Sequence, residues 1–537
     1  MQSNDILSGN HGLKDADNIS SGGTAQSVGG RFNFGRLFGG LVSQPVSLKF
    51  STCVKIGAHM TAVSEPSREN SDIPAGYTYF GQFVDHDLTF DGTKAENEVD
   101  DPDTDVIERT PDKVLRQERS PSLDLDSLYG TTQGQNQTFM NGFKFKLGKT
   151  TATPGVGGGS VEVSHANDLP RVAQKAQIGD PRNDENLAVA QIHLMWLKFH
   201  NQIAQRLFEK TPGASPALIF EQARDLVTRH YQHVILHDFL PRFLDANVFE
   251  DVVVNRNRKI MHHMPGEDAF MPLEFSTAAY RMGHSMVREI YDWNLNFGSP
   301  GNIFEPPTNF AQLFVFSGTS GNLGGAPTLP SNWLPDWRRL FDLSNFEFPH
   351  LERSELGELN LAKKIDPFIA QALGNLPGGE GRLFPSGNLA TLNLARGSLR
   401  GMPSGQDVAQ AISGIRKMSA AQMRRVLTPG FEQDMEMFGL LERTPLWLYI
   451  LIEAASVGDG DRLGPLGSQI VAETFLTLVL TSRTTILSQN GVWTPSDAMA
   501  DIGATSPLLG VANILAWLDA EEPFVDPLQD ERTRSMG

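Results

Sequence analysis

The stretch "DPRNDENLAVAQIHLMWLKFHNQIAQRLFEK" constrains the fold of this chain more than any other. Its apolar residues recur at helical spacing, and Asp180 followed by Pro181 supplies a start signal, an N-cap candidate and a first-turn proline. A second helical segment, "SPALIFEQARDLVTRHYQHVILHDFLPRFL", is predicted to end near Pro241. Alternation of the strand kind is confined to "FMNGFKFKLG" and "SVEVSH", which suit a surface hairpin. The two most apolar stretches, "PLWLYILIEAA" and "IVAETFLTLVLTS", are too short or too polar to cross a bilayer and read as buried helices. No internal repeat is visible. The expectation is a mostly α protein with little β: one large helical domain over residues 46–537, preceded by a flexible or surface-draped arm, residues 1–45, rich in Gly, Ser and Asn.

Such a fold has to stand on its core, because a lone cysteine, Cys53, permits no intramolecular disulfide. The net charge of −18 argues against a nucleic-acid partner. The first residues carry neither a basic start nor an apolar run, so a cytoplasmic location is expected, with export by a signal-independent route as the alternative.

Chemistry announces itself in "YFGQFVDHDLTFD", where Asp85, His86 and Asp87 follow one another among phenylalanines. Such groups are costly to bury without partners. On a helix, Gln82, Asp85 and His86 fall at i, i+3 and i+4 and share a face, while Asp87 shares a face with Phe83. Taken alone, the run could equally be a helix-start turn with a satisfied core histidine.

"FGQFVDHDLTF" resembles the distal helix of the animal-type haem peroxidases of the peroxidase–cyclooxygenase superfamily. There, a glutamine, an ester-forming aspartate, the distal histidine and a calcium-binding aspartate occur in the order of Gln82, Asp85, His86 and Asp87. "SPSLDLDSLYG" resembles the family's calcium loop, implying oxygen ligands from Ser120, Ser122 (through its carbonyl), Asp124 and Asp126 beside Asp87. In "GDPRNDEN", Arg182 matches the distal arginine and Glu185 the second ester-forming carboxylate; at i and i+3, one helix face could present both to a haem edge. Asn186 departs from myeloperoxidase, which has a haem-linked methionine there, and this shifts the expectation from chloride to easier donors. "AAYRMGHSMVREIY" resembles the proximal helix, with His284 as axial iron ligand and Arg281 on the propionate side. "LATLNLARGSLRG" resembles the family segment whose asparagine hydrogen-bonds that histidine, which implies these roles for Asn393 and Arg396.

The resemblance spans residues 50–520 and implies haem b, ester-linked through Asp85 and Glu185, with calcium. It implies a peroxidase that reduces hydrogen peroxide and oxidises bromide, iodide, thiocyanate or small aromatic donors, in keeping with a response to oxidative stress. His86 would move the peroxide proton, Arg182 would stabilise charge on the breaking bond, and Gln82 would order water. Three alternatives stay open. A fatty-acid dioxygenase of the same superfamily would have a tyrosine where Arg281 stands, whereas Tyr280 is one residue off. His230, His233 and His237 could form a non-haem metal patch on one helix face. A haem carrier without turnover would have no use for Gln82, His86 and Arg182.

Overall fold

The computed structural model describes Phe32 and residues 34–525, apart from 94–99, 102–104, 131–138, 154–163, 265–266, 268, 295, 299–306, 349–357, 377–385, 488–492, 505–507, 521 and 523. The arm up to residue 31, "TPGVGGGS" beyond Thr153 and most of "SVEVSH" lie outside the described residues. The helices that build the core and the site are α1 (Phe50–Met60), α2 (Gly76–Leu88), α3 (Leu187–Lys210), α4 (Pro216–Val234), α5 (Leu389–Leu399), α6 (Leu446–Val457) and α7 (Pro465–Thr481). Strands among the described residues form only two-stranded ribbons, one of them the expected hairpin, Met140–Asn141 against Lys144–Phe145.

The mostly α expectation holds, and α3 is its spine. It packs on α2 and α4, with Trp196 at their meeting point. Phe83 of α2 stacks on Trp196 at 6.3 Å, and Tyr231 of α4 meets it edge-on at 5.3 Å. The start of α3 differs from expectation. Asp180 does accept a cap bond from the Arg182 N–H, but it caps only a 3₁₀ turn, Pro181–Asp184. The chain then extends at Asn186, whose side chain accepts from the Val189 N–H and starts α3 proper. Two good cap residues in one stretch split what looked like a single helix start.

The end of the second segment also needs correction. Past α4, a π-helical turn (Ile235–Phe239) leads into a short helix, Leu240–Phe243, so the chain remains helical through Pro241. The proline sits in the first turn of that new helix, where its missing N–H costs nothing.

α6 and α7 are the two apolar stretches, and both are buried core helices. Glu453 of α6 is buried and accepts from the Leu466 and Gly467 N–H groups at 3.0 and 3.3 Å, so one helix caps the next. α1 and α5 approach closely enough to require a glycine: a Cβ on Gly57 would lie 2.4 Å from Thr391 Oγ1 and 2.7 Å from its N. Near the N-terminus, Phe34–Gly35 pairs in parallel with Met271–Pro272. The N–H groups of Leu37 and Phe38 donate to the buried Glu274 carboxylate at 3.0 and 3.1 Å, on the short helix Leu273–Thr277.

Candidate active site

A cleft of about 980 Å³, partly open to solvent, separates α2 from the segment that follows the short helix Leu273–Thr277. Gln82 and Asp85 line one side with Glu185 and Asn186; Arg281 and His284 line the other. Gln82 and Asp85 therefore share the face inferred from the sequence and Asp87 does not line it, but His86, expected on the same face, does not line the cleft either. His86 is fully buried one layer behind the cleft, its Nε2 3.6 Å from Glu185 Oε1. Gln82 donates to that same oxygen and accepts from Asn186 Nδ2 at 2.9 Å. Asn186 thus has a structural reason of its own, capping α3 and holding Gln82.

Sequence reasoning missed Asn183. Its Nδ2 faces Nδ1 of His193 at 2.9 Å and its Oδ1 faces Nδ1 of His86 at 2.8 Å. With the Asn183 amide oriented this way its oxygen accepts from Nδ1–H of His86, and Nε2 then keeps its lone pair. Burial and the Arg182 charge push His86 down to about 4, so the imidazole is neutral at ordinary pH. Asn183 could have been found only as the neighbour of Arg182 in "DPRNDE"; residue type alone gave no signal.

Arg182 is not where its spacing suggested. Its guanidinium turns away from Glu185 and the cleft, pairs with Asp180, donates to the His86 carbonyl at 2.9 Å and lies 4.6 Å over the Phe90 ring. The cause is the 3₁₀ turn, which gives i and i+3 a different relation from an α-helix and leaves Arg182 beside its own cap residue.

His284 ends a 3₁₀ run, Ala279–His284, rather than sitting in the expected proximal helix. Long-range contacts override the helical pattern here. Arg68, buried, donates to the carbonyls of Ser285, Val287 and Phe368, and Ser285 Oγ lies within reach of the carbonyls of Lys364, Asp366 and Phe368. Asn393 Nδ2 is 2.8 Å from His284 Nδ1, whereas Asn393 Oδ1 is buried without a partner. Turning this amide over lets Oδ1 accept from Nδ1–H and frees Nε2 as a ligand, and it also satisfies the orphaned oxygen. Burial, with Arg281 and Arg396 nearby, holds His284 well below the usual histidine range, so it is neutral, as a metal ligand must be. The residues present therefore fit a haem iron. Arg281 Nη1 also reaches across to Asp85 Oδ2 at 3.5 Å, so these two residues share one edge of the cleft.

Asp87, Asp124 and Asp126 gather on the far side of α2. The Ser127 N–H donates to Asp87 at 3.0 Å, the Ser120 N–H to Asp126 at 2.9 Å and the Ser120 hydroxyl to Asp124 at 3.0 Å. Burial and then Asp126 push Asp87 up to about 7, and burial with both neighbours raises Asp124 well above the carboxylate range. Leu125, left-handed at φ 60°, turns the chain between Asp124 and Asp126. Ser122 lies in the same bend, partly buried. The donor set is all oxygen, and its three carboxylates outnumber the nearby Arg119 and Arg224, as suits a hard cation. Among the described residues, however, no three acidic, His or Cys side chains close on one point.

The histidine patch does not converge. His230 bonds the Leu226 carbonyl at 2.8 Å and packs on Phe199 and Trp493. His233 and His237 face each other's rings at 4.5 Å, the latter already in the π turn.

The chain as a whole is similar to known proteins in sequence and in fold. Residues 103–497 match the model of the animal haem peroxidase family, and the chain belongs to that family, which implies haem as its prosthetic group. The match begins after the helix that carries Gln82 and His86. The chain is 26% identical over 373 residues to a peroxidase-like protein of Margaritifera margaritifera, covering 61% of this chain and 44% of that one. It is 33% identical over 229 residues to peroxidase mlt-7 of Caenorhabditis elegans, covering 42% and 26%. It thus spans less than half the length of these relatives. Its fold is similar to that of peroxidase A from Dictyostelium discoideum (TM-score 0.57, 16% identity, 95% of this chain and 99% of that one). It is equally similar to a fatty acid alpha-dioxygenase of Oryza sativa (TM-score 0.59, 11% identity, 88% and 78%), so the fold alone does not choose between the two activities. No helix among the described residues is long and apolar enough to cross a membrane.

Proposed function

We propose that this chain is a peroxidase that reduces hydrogen peroxide and oxidises bromide, iodide, thiocyanate or small aromatic donors. The observation that carries it is His86, held neutral, with Nδ1 2.8 Å from Asn183 and Nε2 3.6 Å from Glu185 on the cleft wall, and with His284 lining the same cleft. Haem, when bound through His284, supplies the iron at which the O–O bond is broken. Neutral His86 takes the proton from the near peroxide oxygen and returns it to the leaving oxygen. Gln82 orders the water or anion that shares its amide. Arg182 acts through its neighbour, since its charge keeps the imidazole neutral and ready to accept a proton. Asn393 gives His284 a neutral acceptor, which leaves the imidazole less basic than a carboxylate would. Asp85 and Glu185, both lining the cleft, would form the ester links, with Arg281, which also lines it, beside the acidic groups of the macrocycle and Arg396 near His284. Asp87, Ser120, Ser122, Asp124 and Asp126 would hold calcium.

A dioxygenase would need a tyrosine at position 281, and Arg281 stands there. The test is the absorption spectrum of haem-loaded protein before and after one equivalent of hydrogen peroxide, followed by acid–acetone extraction. A peroxide-responsive Soret band is expected, with haem retained in the protein fraction. His86→Ala should bind haem and lose about 10²- to 10⁴-fold in peroxide turnover, the usual worth of a positioned acid–base group. Normal turnover by His86→Ala would refute the assignment. Oxygen uptake with a fatty acid, absent peroxide turnover, would favour the dioxygenase.

A further inference from the structure

Three tyrosines line the cleft, Tyr77, Tyr79 and Tyr280, and they differ in what their hydroxyls meet. The Tyr280 hydroxyl faces the Gly81 carbonyl at 3.3 Å, a group that cannot take up a proton. Tyr79 donates to the Tyr291 hydroxyl at 2.8 Å, a neutral phenol and a poor base. The Tyr77 hydroxyl lies 2.9 and 2.8 Å from the two oxygens of Asp238. That carboxylate also accepts from Arg242 and from the Val511 N–H at 2.9 Å. The Arg242 guanidinium lies 4.0 Å over the Tyr77 ring and is about one-third exposed. Tyr77 is therefore the cleft tyrosine with both a proton acceptor and a short path to the surface.

We propose that Tyr77 is a redox-active tyrosine that holds one oxidising equivalent of peroxide and passes it to one-electron donors, such as phenols, at the Arg242 surface. The proposal rests on the peroxidase reading. Reduction of one hydrogen peroxide to two waters takes up two electrons and two protons. One of these electrons leaves the Tyr77 phenol towards the cleft, and its O–H proton moves along the hydrogen bond to Asp238, leaving a neutral phenoxyl radical. An external phenol then returns the electron and releases its own proton to solvent, becoming a neutral phenoxyl radical, while the proton on Asp238 goes back to Tyr77. A second phenol supplies the other electron, and the protons the two donors release balance the two that the peroxide takes up. Arg242 opposes protonation of Asp238, because it favours the carboxylate. This keeps the radical strongly oxidising and the step reversible, as a relay requires and a dead end does not.

The experiment is freeze-quench electron paramagnetic resonance of haem-loaded protein mixed with one equivalent of hydrogen peroxide, with peroxide consumption followed in parallel. The protein is prepared with ordinary and with ring-deuterated tyrosine, which identifies a tyrosyl signal by its narrowed hyperfine pattern. The expected result is a tyrosyl signal that falls at least tenfold in Tyr77→Phe and persists in Tyr79→Phe. Asp238→Asn keeps an acceptor oxygen but no base, and should lose the signal likewise, so the proposal stays testable if Tyr77→Phe does not fold. Peroxide consumption with no tyrosyl signal, or with a signal indifferent to both Tyr77 and Asp238, overturns the proposal and leaves the peroxidase standing. No peroxide consumption at all removes the peroxidase reading and this one together.

Discussion

Glu453→Gln should make the protein less sensitive to alkali, and the size of the effect follows from where the side chain sits. Burial, opposed by the Gly467 and Leu466 N–H groups and reinforced by Asp245, pushes Glu453 up to about 8 from the ordinary 4.5. The folded protein therefore keeps a proton there that the unfolded chain has released, so the unfolded state binds fewer protons and stability falls as pH rises between those values. At about 1.36 kcal/mol per pKa unit, the loss attributable to this carboxyl is roughly 1 kcal/mol at pH 5 and roughly 4 kcal/mol at pH 8. Gln keeps an oxygen for the Leu466 and Gly467 donors and has nothing to ionise. Thermal or urea denaturation of both proteins across pH 5 to 8 should show the two stabilities diverging, with the variant gaining about 3 kcal/mol relative to the parent over that range. Because Phe475 of α7 packs on Phe275 and Tyr280 beside the cleft, the same titration should also sharpen or loosen the haem spectrum. Stability curves that run parallel from pH 5 to pH 8 would show that Glu453 is ionised in the folded protein and that the Leu466 and Gly467 N–H groups outweigh its burial.

Gly57→Ala would drive a methyl group into Thr391, and a loss of about 1–3 kcal/mol is expected, read as a lowered denaturation midpoint with unchanged slope. The loss should shrink only in part in the double variant with Thr391→Ala, which removes the Oγ1 contact at 2.4 Å but leaves the backbone N at 2.7 Å. Removal of calcium by a chelator should lower the melting temperature of the parent and not that of Asp124→Asn, whose charge cluster is already relieved. Equal effects of the chelator on both would place any calcium elsewhere. His284→Ala should lose the Soret band or shift it, while leaving the far-ultraviolet circular dichroism of the apoprotein unchanged.

Much of this was legible in the chain before any coordinates. The helical period of residues 187–210 and the one-face geometry of Gln82 and Asp85 needed only local rules, and both hold in the fold. Arg182 shows where such rules stop. Its spacing from Glu185 was read on an α-helix, but Asp180 and Asn186 each cap a turn, and the resulting 3₁₀ segment turns the guanidinium inward. The His284 segment was illegible for another reason: its path is set by Arg68 and Ser285 contacts to residues far away in sequence. Asn183 was missed because an amide that fixes a histidine tautomer looks, in sequence, like any other polar residue at a helix start. The acidic loop was readable in composition, yet whether its carboxylates converge on one ion depends on distances that no pattern encodes.

The clasp between residues 34–38 and the segment around Glu274 has a consequence for biosynthesis. Leu37 and Glu274 are 237 positions apart, and His284 waits a further 109 positions for Asn393. A ribosome must therefore synthesise most of the chain before the Asn393 contact to His284 can form, and contacts of such sequence separation form slowly. Nascent chains released before Asn393 would have α2 and α3 but no finished cradle, with apolar cleft walls exposed to their neighbours. If His284 holds the haem, its acquisition thus becomes a late checkpoint that only chains grown past Asn393 can pass.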